Sequence, residues 1–395
     1  MLEAFTVENY RAFARPQEIA IRPLTLFFGW NSGGKSALVR LLPLLTESIR
    51  IDGPPIWLAG EVGRGATWPE LVCKATERGS FRFSLRWAAD RALAAEWEIA
   101  GDVEGRWQEA KMLATTVGLS HRKFTRQEGM EIQWPGLIPK DDANEESSTD
   151  LNAIKAELAT LSAGVQWISG VRVRPPRVAT YGGGAPPTLR ADGSDAVDHL
   201  IAAQLQSTAA PLLEATRSFF AALGEQLVLD NPTEGVWRVL LHPTGAPQVR
   251  VNLCDTGEGY AQVLPVLVAL ARACLGGPRI LCLEQPELHL HTRAQAELSK
   301  QLVAAAVSPA SPRILVETHS EILLMSVQLA IARGDIASDM VRVYWVESRA
   351  DGTSEAVPVD FNQQGQPMST ALIGAFSEAV HLGQELVLKQ LPKTL

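Results

Sequence analysis

At 395 residues the chain is long enough for about two or three average domains. It is 46% hydrophobic and 20% charged, so it can bury a large core, which excludes a disordered tether. A net charge of −8 and a pI near 5.5 exclude a globally basic nucleic-acid binder and leave room only for a local basic groove. Cys73, Cys254, Cys274 and Cys282 are scattered without a C-x-x-C pair, so neither a disulfide framework nor a zinc site is expected, and a reducing cytoplasm fits. The first residues, MLEAFTVENY, carry acids and no apolar stretch, unlike a signal peptide. No apolar run reaches the ~18 residues of a membrane span. The nearest to one, Val263–Ala273, is interrupted by Arg272.

Leu2–Val7 and Glu18–Phe28 read as strands. Between them, Asn9–Phe13 reads as a turn with an aromatic and a cation, suited either to a base ring or to covering a sheet edge. Gly29-x-x-x-x-Gly34-Lys35-Ser36 then follows an apolar strand and opens a helical run through Ala37, the context that a P-loop requires. Gly33 and Gly34 let the backbone turn its N–H groups toward a phosphate, and the helix adds its positive end. Lys35 supplies a point charge for outer phosphates and Ser36 a hydroxyl for Mg²⁺. Asn31 and Ser32 suit the tight turn.

Ser36–Ile49 reads as a helix apart from Pro43, which should kink it or demand local repair. Residues 52–69 read as an exposed loop, followed by a short element at Trp68–Val72 and strands at Phe81–Trp87 and Ala94–Ile99. Gln108–Ser148 carries little pattern and ends in the acidic run Asp141–Ser148, expected to be a solvated loop. Asp150–Leu161 reads as a helix and Val165–Ser169 as a strand. Arg172, Arg174 and Arg177 make a local basic run that could face an anion, a partner or only solvent, before the glycine-rich loop at Tyr181. Asp195–Gln206 and Ala210–Leu223 read as helices, and Gln226–Asp230, Val236–Leu241 and Gln248–Leu253 as strands. There is no sustained heptad and no internal repeat.

Asp255–Gly259 (D-T-G-E-G) follows a strand and opens the apolar helix Tyr260–Leu275, a second helix start suited to phosphate. Arg279–Glu284 is a continuous apolar strand ending in an acid, the Walker B pattern, which beside a P-loop should hold Mg²⁺ through Glu284. Arg313–Ser320 is another buried strand, ending in a polar cluster in which His319 could reach a γ-phosphate or a positioned water. Beyond it come the helix Ile322–Ala332, the strands Val341–Val346 and Ala356–Val359, and a helical tail at Phe376–Leu391.

In this order, G-W-N-S-G-G-K-S (Gly29–Ser36), D-T-G-E-G-Y-A-Q-V-L-P (Asp255–Pro265), E-Q-P-E-L-H-L-H (Glu284–His291) and E-T-H-S-E (Glu317–Glu321) resemble the ABC-class, SMC-like ATPase head. More closely they resemble the stand-alone bacterial AAA ATPases of the OLD-like group. The resemblance implies an α/β fold: an ABC-type P-loop head with a mixed sheet and an inserted helical and β lobe. Within a single head spanning 1–395 it implies an N-terminal lobe with the P-loop (1–105), an inserted lobe (106–225), a C-terminal lobe with signature, Walker B and switch histidine (226–340), and a strand pair with helix (341–395). It also implies ATP and Mg²⁺ as cofactors, with ATP sandwiched between two copies. The P-loop, Ser36, Glu284 and His319 of one copy would then face Gly257, Glu258 and Gly259 of the other, with Asp255 placing them.

Three departures from the family pattern stand out. The position after the Walker B acid is Gln285, an amide that can position water but cannot be a base, with Glu287 as a substitute. No glutamine lies between Gln17 and Gln108 to serve as the usual Q-loop residue, and Glu70 is the candidate in its place. No long arm is present, and the tail is too short for the Toprim nuclease domain of some group members, so a nuclease or other effector is expected as a separate chain. The expected function is Mg²⁺-dependent ATP hydrolysis coupled to homodimer or higher homo-oligomer clamping, in the ATPase or sensor subunit of an anti-phage defence or DNA-maintenance system. The alternatives are a hydrolysis-poor, ATP-gated scaffold for an effector, and a DNA-repair clamp bound through the arginine run.

Overall fold

A computed structural model describes residues 1–372 apart from 52, 89–91, 103, 105, 126–135, 140–144 and 207–209. The apolar run before the P-loop forms strand β3 (Leu24–Gly29), and every residue of it is buried. A strand apolar at every position belongs in the middle of a sheet covered on both faces. Here alternate residues enter two different cores: Leu24, Leu26 and Phe28 one, Phe27 the other.

Before β3 come β1 (Leu2–Glu8) and β2 (Gln17–Ala20). The single strand expected over Glu18–Phe28 is therefore two, broken at 21–23 ahead of Leu24, where Pro23 cannot donate to a ladder. After β3 come α1 (Lys35–Arg50), α2 (Trp68–Leu71), β4 (Ser80–Trp87), β5 (Leu93–Gly101), β6 (Gln108–Val117), β7 (Ser120–Thr125), α3 (Glu145–Gly164) and β8 (Val165–Ile168). Then follow β9 (Ala179–Thr180), α4 (Ala196–Leu205), α5 (Ala210–Ala222), β10 (Glu225–Thr233), β11 (Val236–Pro243), β12 (Val251–Asn252), α6 (Glu258–Cys274) and β13 (Ile280–Glu284). The described chain closes with α7 (Thr292–Ala306), β14 (Arg313–Thr318), α8 (Glu321–Arg333), β15 (Val341–Ser348) and β16 (Ser354–Val359).

The site-bearing sheet has the order β16-β15-β3-β14-β13-β8. It is mixed: β15, β3, β14, β13 and β8 run parallel, and β16 is antiparallel at one edge. Its strands come from both ends of the described chain. A second, antiparallel sheet has the order β2-β1-β4-β5-β6-β7, and α1 lies between the two layers with Leu38, Leu41, Leu42 and Leu45 fully buried. Phe83 and Trp97 stack at 4.9 Å in that interlayer core. Strand β6, the first strand of the region expected as an inserted lobe, pairs along its length with β5. A smaller sheet of β10, β11 and β12, with β9 on β11, packs through β10 on α4 and α5.

Local departures from the sequence reading have packing causes. Helix α1 runs through Pro43 without interruption. The loop at 53–67 is not simply exposed, because Ile56, Leu58 and Val62 enter the interlayer core. In the turn after β1, Tyr10 and Phe13 are both buried, so the aromatics fill the core and leave no ring free for a base. Helix α3 begins at Glu145, inside the acidic run expected as a loop; residues 141–144 of that run and the expected tail helix Phe376–Leu391 lie outside the described residues. Among the described residues no helix is long and apolar enough to cross a membrane.

Candidate functional site

The P-loop leaves β3 at Gly29, whose φ is +148°. A Cβ there would stand 2.1 Å from the Val346 carbonyl oxygen of the adjoining strand β15, so only glycine lets the two backbones approach. Ser32 (φ +64°) and Gly34 (φ +97°) then turn the chain left-handed, and Gly34 caps α1. This turn brings Lys35 back over the loop. Its ammonium is buried and donates to the carbonyls of Gly29 (3.0 Å) and Trp30 (2.5 Å). Burial pulls its pKa down to about 8, partly offset by the carboxylates of Glu317 and Glu287. Asn31 is exposed at the tip, and Ala37 continues the helix beside Ser36.

The Ser36 hydroxyl donates to Glu317 Oε1 at 2.7 Å. The expected neighbour was Glu284. That acid instead binds Arg40 through both oxygens, at 2.5 Å from Nε and 2.5 Å from Nη2, and its Oε1 also accepts from the Trp167 indole at 2.8 Å. Strand order explains the exchange: β14 lies between β3 and β13, so the acid at its end is nearer the P-loop. Glu317 and Glu284 sit opposite each other in register. Burial pushes the Glu317 carboxyl above the usual range, against the Ser36 hydrogen bond, and the Glu284 charge pushes it further.

Gln285 holds a left-handed backbone (φ +41°), and its N–H donates to the Glu317 carbonyl at 2.8 Å. A non-glycine residue held in this region is strained backbone, and the hydrogen bond to β14 helps to fix it there. Glu287 is buried; its Oε1 accepts from the Thr318 hydroxyl (2.7 Å) and the His319 N–H (3.1 Å), and burial raises its pKa. His319 is half-buried, and burial with the nearby Lys35 charge lowers its pKa, which favours the neutral imidazole.

Two clefts flank the P-loop. One, of about 520 Å³, is lined by Arg11, Ser32, Ser36, Arg40, Arg64 and Glu70. The other, of about 730 Å³, is lined by Trp30, Asn31, Gln285, Glu287, His289 and His319. Glu70, the candidate in place of a Q-loop glutamine, reaches the first cleft's rim, but its carboxylate closes a capping box with Thr67. Trp30, 58% exposed and edge-on to Trp345, and Arg40, Trp167 and Glu317 were not singled out by the sequence reading. Arg40 could have been, since it lies one turn after Ser36 on the same helical face.

The signature segment starts α6, which packs against the turn after β13. Gly257 caps α6, and a Cβ on it would meet open space. Gly259 does the opposite: a Cβ would stand 2.5 Å from the His289 carbonyl, so it lets α6 pack on the turn after β13. Asp255 pairs with Arg177 (2.7 Å), and Glu258 pairs with Arg174. Arg172 is buried and donates to the carbonyls of Ser169 (3.0 Å), Glu284 (2.9 Å) and Gln285 (3.0 Å), while the Gln262 side chain of α6 donates to the Arg172 carbonyl at 2.8 Å. The basic run is thus a buried strut and two ion pairs on the signature acids. Among the described residues no group of three or more His, Cys, Asp or Glu is gathered as a metal cage, and the four cysteines are free.

A family model described as "AAA domain, putative AbiEii toxin, Type IV TA system" matches residues 228–326, the span holding Asp255–Gly259, Glu284, Glu287, Glu317 and His319. No curated protein matches the chain. Among solved structures, the chain is similar to an SMC head bound to the C-terminal winged-helix domain of ScpA, with 12% identity and a TM-score of 0.55, over 92% of this chain and 98% of that one. It is also similar to an Smc head with an extended coiled coil bound to the C-terminal domain of ScpA, from Pyrococcus furiosus, with 11% identity and a TM-score of 0.52, over 98% of this chain and 99% of that one. The chain therefore has the mixed α/β fold of the SMC head.

Proposed function

We propose that the chain binds ATP with Mg²⁺ at the P-loop, hydrolyses it, and uses the nucleotide to clamp two copies together. The observation that carries this reading is the buried Lys35 ammonium, held inside the glycine turn by two backbone carbonyls that phosphate oxygens can replace as partners. The P-loop N–H groups and Lys35 would hold the phosphates. Ser36 and an acid at the strand ends would hold the cation, which supplies charge neutralisation between the phosphates. The orphaned buried oxygens of Glu317 and Glu287 fit such a group. Glu287 or Gln285 would position the attacking water, and neutral His319 would contact the γ-phosphate. Glu287, its pKa raised by burial, is the stronger base of the two when ionised.

Open space around Gly257 supports a role in trans. A helix start with an open, exposed glycine at its cap suits the phosphates held by a second copy. By the OLD-like resemblance we place the chain as the ATPase or sensor subunit of a defence or DNA-maintenance system, acting on a separate effector. The similar SMC heads bound to ScpA support a separate protein partner. Mass in solution tests the clamp: with a non-hydrolysable ATP analogue and Mg²⁺ the mass should double, and in Gly257→Trp it should not. A mass that ignores nucleotide removes the clamp from this reading.

One observation favours a second reading. Gln285 places a neutral amide where a base is usual, as in an ATP-gated scaffold that binds without turning over. The DNA-clamp reading draws no such support: Arg172 is buried, and Arg174 and Arg177 are neutralised by Glu258 and Asp255.

A further inference from the structure

We propose that Glu317, at the end of β14, works with Ser36 to hold the nucleotide's divalent cation, and that Glu284, at the end of β13, is instead a latch fixed by Arg40. The assignment rests on the nucleotide reading above and names the acid within it.

The two acids face each other in register, yet their surroundings are opposite. Both oxygens of Glu284 are spent, on the two prongs of Arg40 and on the Trp167 indole, and the guanidinium lies over the Trp167 ring at 5.8 Å. A bidentate guanidinium fills a carboxylate's best acceptor directions and cancels its charge. For Glu284 to take a cation, Arg40 would have to swing out of a half-buried site and leave its charge unpaired. A cation at Glu284 would also sit beside a fixed positive charge.

Glu317 has the free valence. It is 4% exposed; its Oε1 accepts from the Ser36 hydroxyl, and its Oε2 is buried with no hydrogen-bond partner among the described residues. Buried polar atoms are seldom left without a partner, so an orphaned carboxylate oxygen beside a P-loop serine is suited to ligate a cation. A hydroxyl and a carboxylate oxygen are hard ligands of the kind Mg²⁺ takes. Charge balance agrees. Arg40 offsets Glu284 and Lys35 offsets Glu317, so arriving phosphates bring an uncompensated negative charge beside Glu317. The rival explanation is a protonated Glu317 that only accepts from Ser36; glutamine would mimic that state.

The test uses Mn²⁺ as the probe, read by EPR on the full chain with a non-hydrolysable ATP analogue, with nucleotide affinity measured separately in EDTA. Glu317→Gln should weaken Mn²⁺ binding at least about tenfold while binding in EDTA holds. The paired swap Arg40→Gln/Glu284→Gln removes both charges of the latch and should leave Mn²⁺ affinity within about threefold, because neither group touches the cation. Unchanged Mn²⁺ binding in Glu317→Gln, or its loss in the paired swap, overturns the assignment. If Glu317→Gln does not fold, the paired swap decides alone, by retaining or losing Mn²⁺. A wild-type chain that binds no nucleotide in either condition fails the nucleotide reading itself, and the assignment with it.

Discussion

Lys35→Ala is expected to weaken ATP binding by roughly 30-fold or more, the loss typical of a buried charge that pairs with an anionic partner. Titration calorimetry at neutral pH measures it directly. The side chain is 3% exposed and already aimed inward at Gly29 and Trp30, so little ordering remains to be done when phosphates arrive. A control comes from stability. The folded pKa of Lys35 lies near 8, below its ordinary 10.5, so between those values the unfolded chain binds more protons than the folded one. This lysine therefore makes stability rise with pH from about 8 to 10.5 and costs stability below 8. The variant should lose that slope as well as its ATP. Wild-type affinity in Lys35→Ala would contradict the site.

Arg172→Met is the second large effect, and it is one of stability. The guanidinium is buried at the junction of three elements and satisfies the carbonyls of Ser169, Glu284 and Gln285, while Gln262 ties the Arg172 carbonyl to α6. Burial lowers its pKa to about 10, so it stays charged at neutral pH. Removing it strands three carbonyls in the interior, at an expected cost of about 3 kcal/mol or more. Urea unfolding measures this against Arg174→Ala, an exposed ion-pair partner whose loss should cost under about 1 kcal/mol. Equal losses in the two variants would mean that the strut carries no special weight.

What was legible in the sequence was local. The P-loop could be read because its glycines, lysine and serine act within eight residues and sit between a strand and a helix. The apolar strands β3, β13 and β14 announced themselves as buried on both faces. Which acid meets Ser36 was not local. It depends on β14 being inserted between β3 and β13, an order fixed by tertiary packing, and the Walker B pattern alone points to Glu284. The same limit applied to the basic run: three arginines at close spacing give no sign that the first is buried and the others are spent on Glu258 and Asp255. The Asn9–Phe13 turn read equally as a base-ring contact or a cover for a sheet edge, and the structure buries Tyr10 and Phe13 in the core, Tyr10 beside Phe81.

The central claim is that this head binds ATP and turns it over at Lys35 with Mg²⁺, and steady-state phosphate release from the purified chain tests it most directly. Mg²⁺-dependent turnover in the wild type, lost in Lys35→Ala, is the expected result, and it would show that Gln285 does not disable the chemistry. Nucleotide binding without turnover would contradict hydrolysis and leave ATP as the ligand of a scaffold.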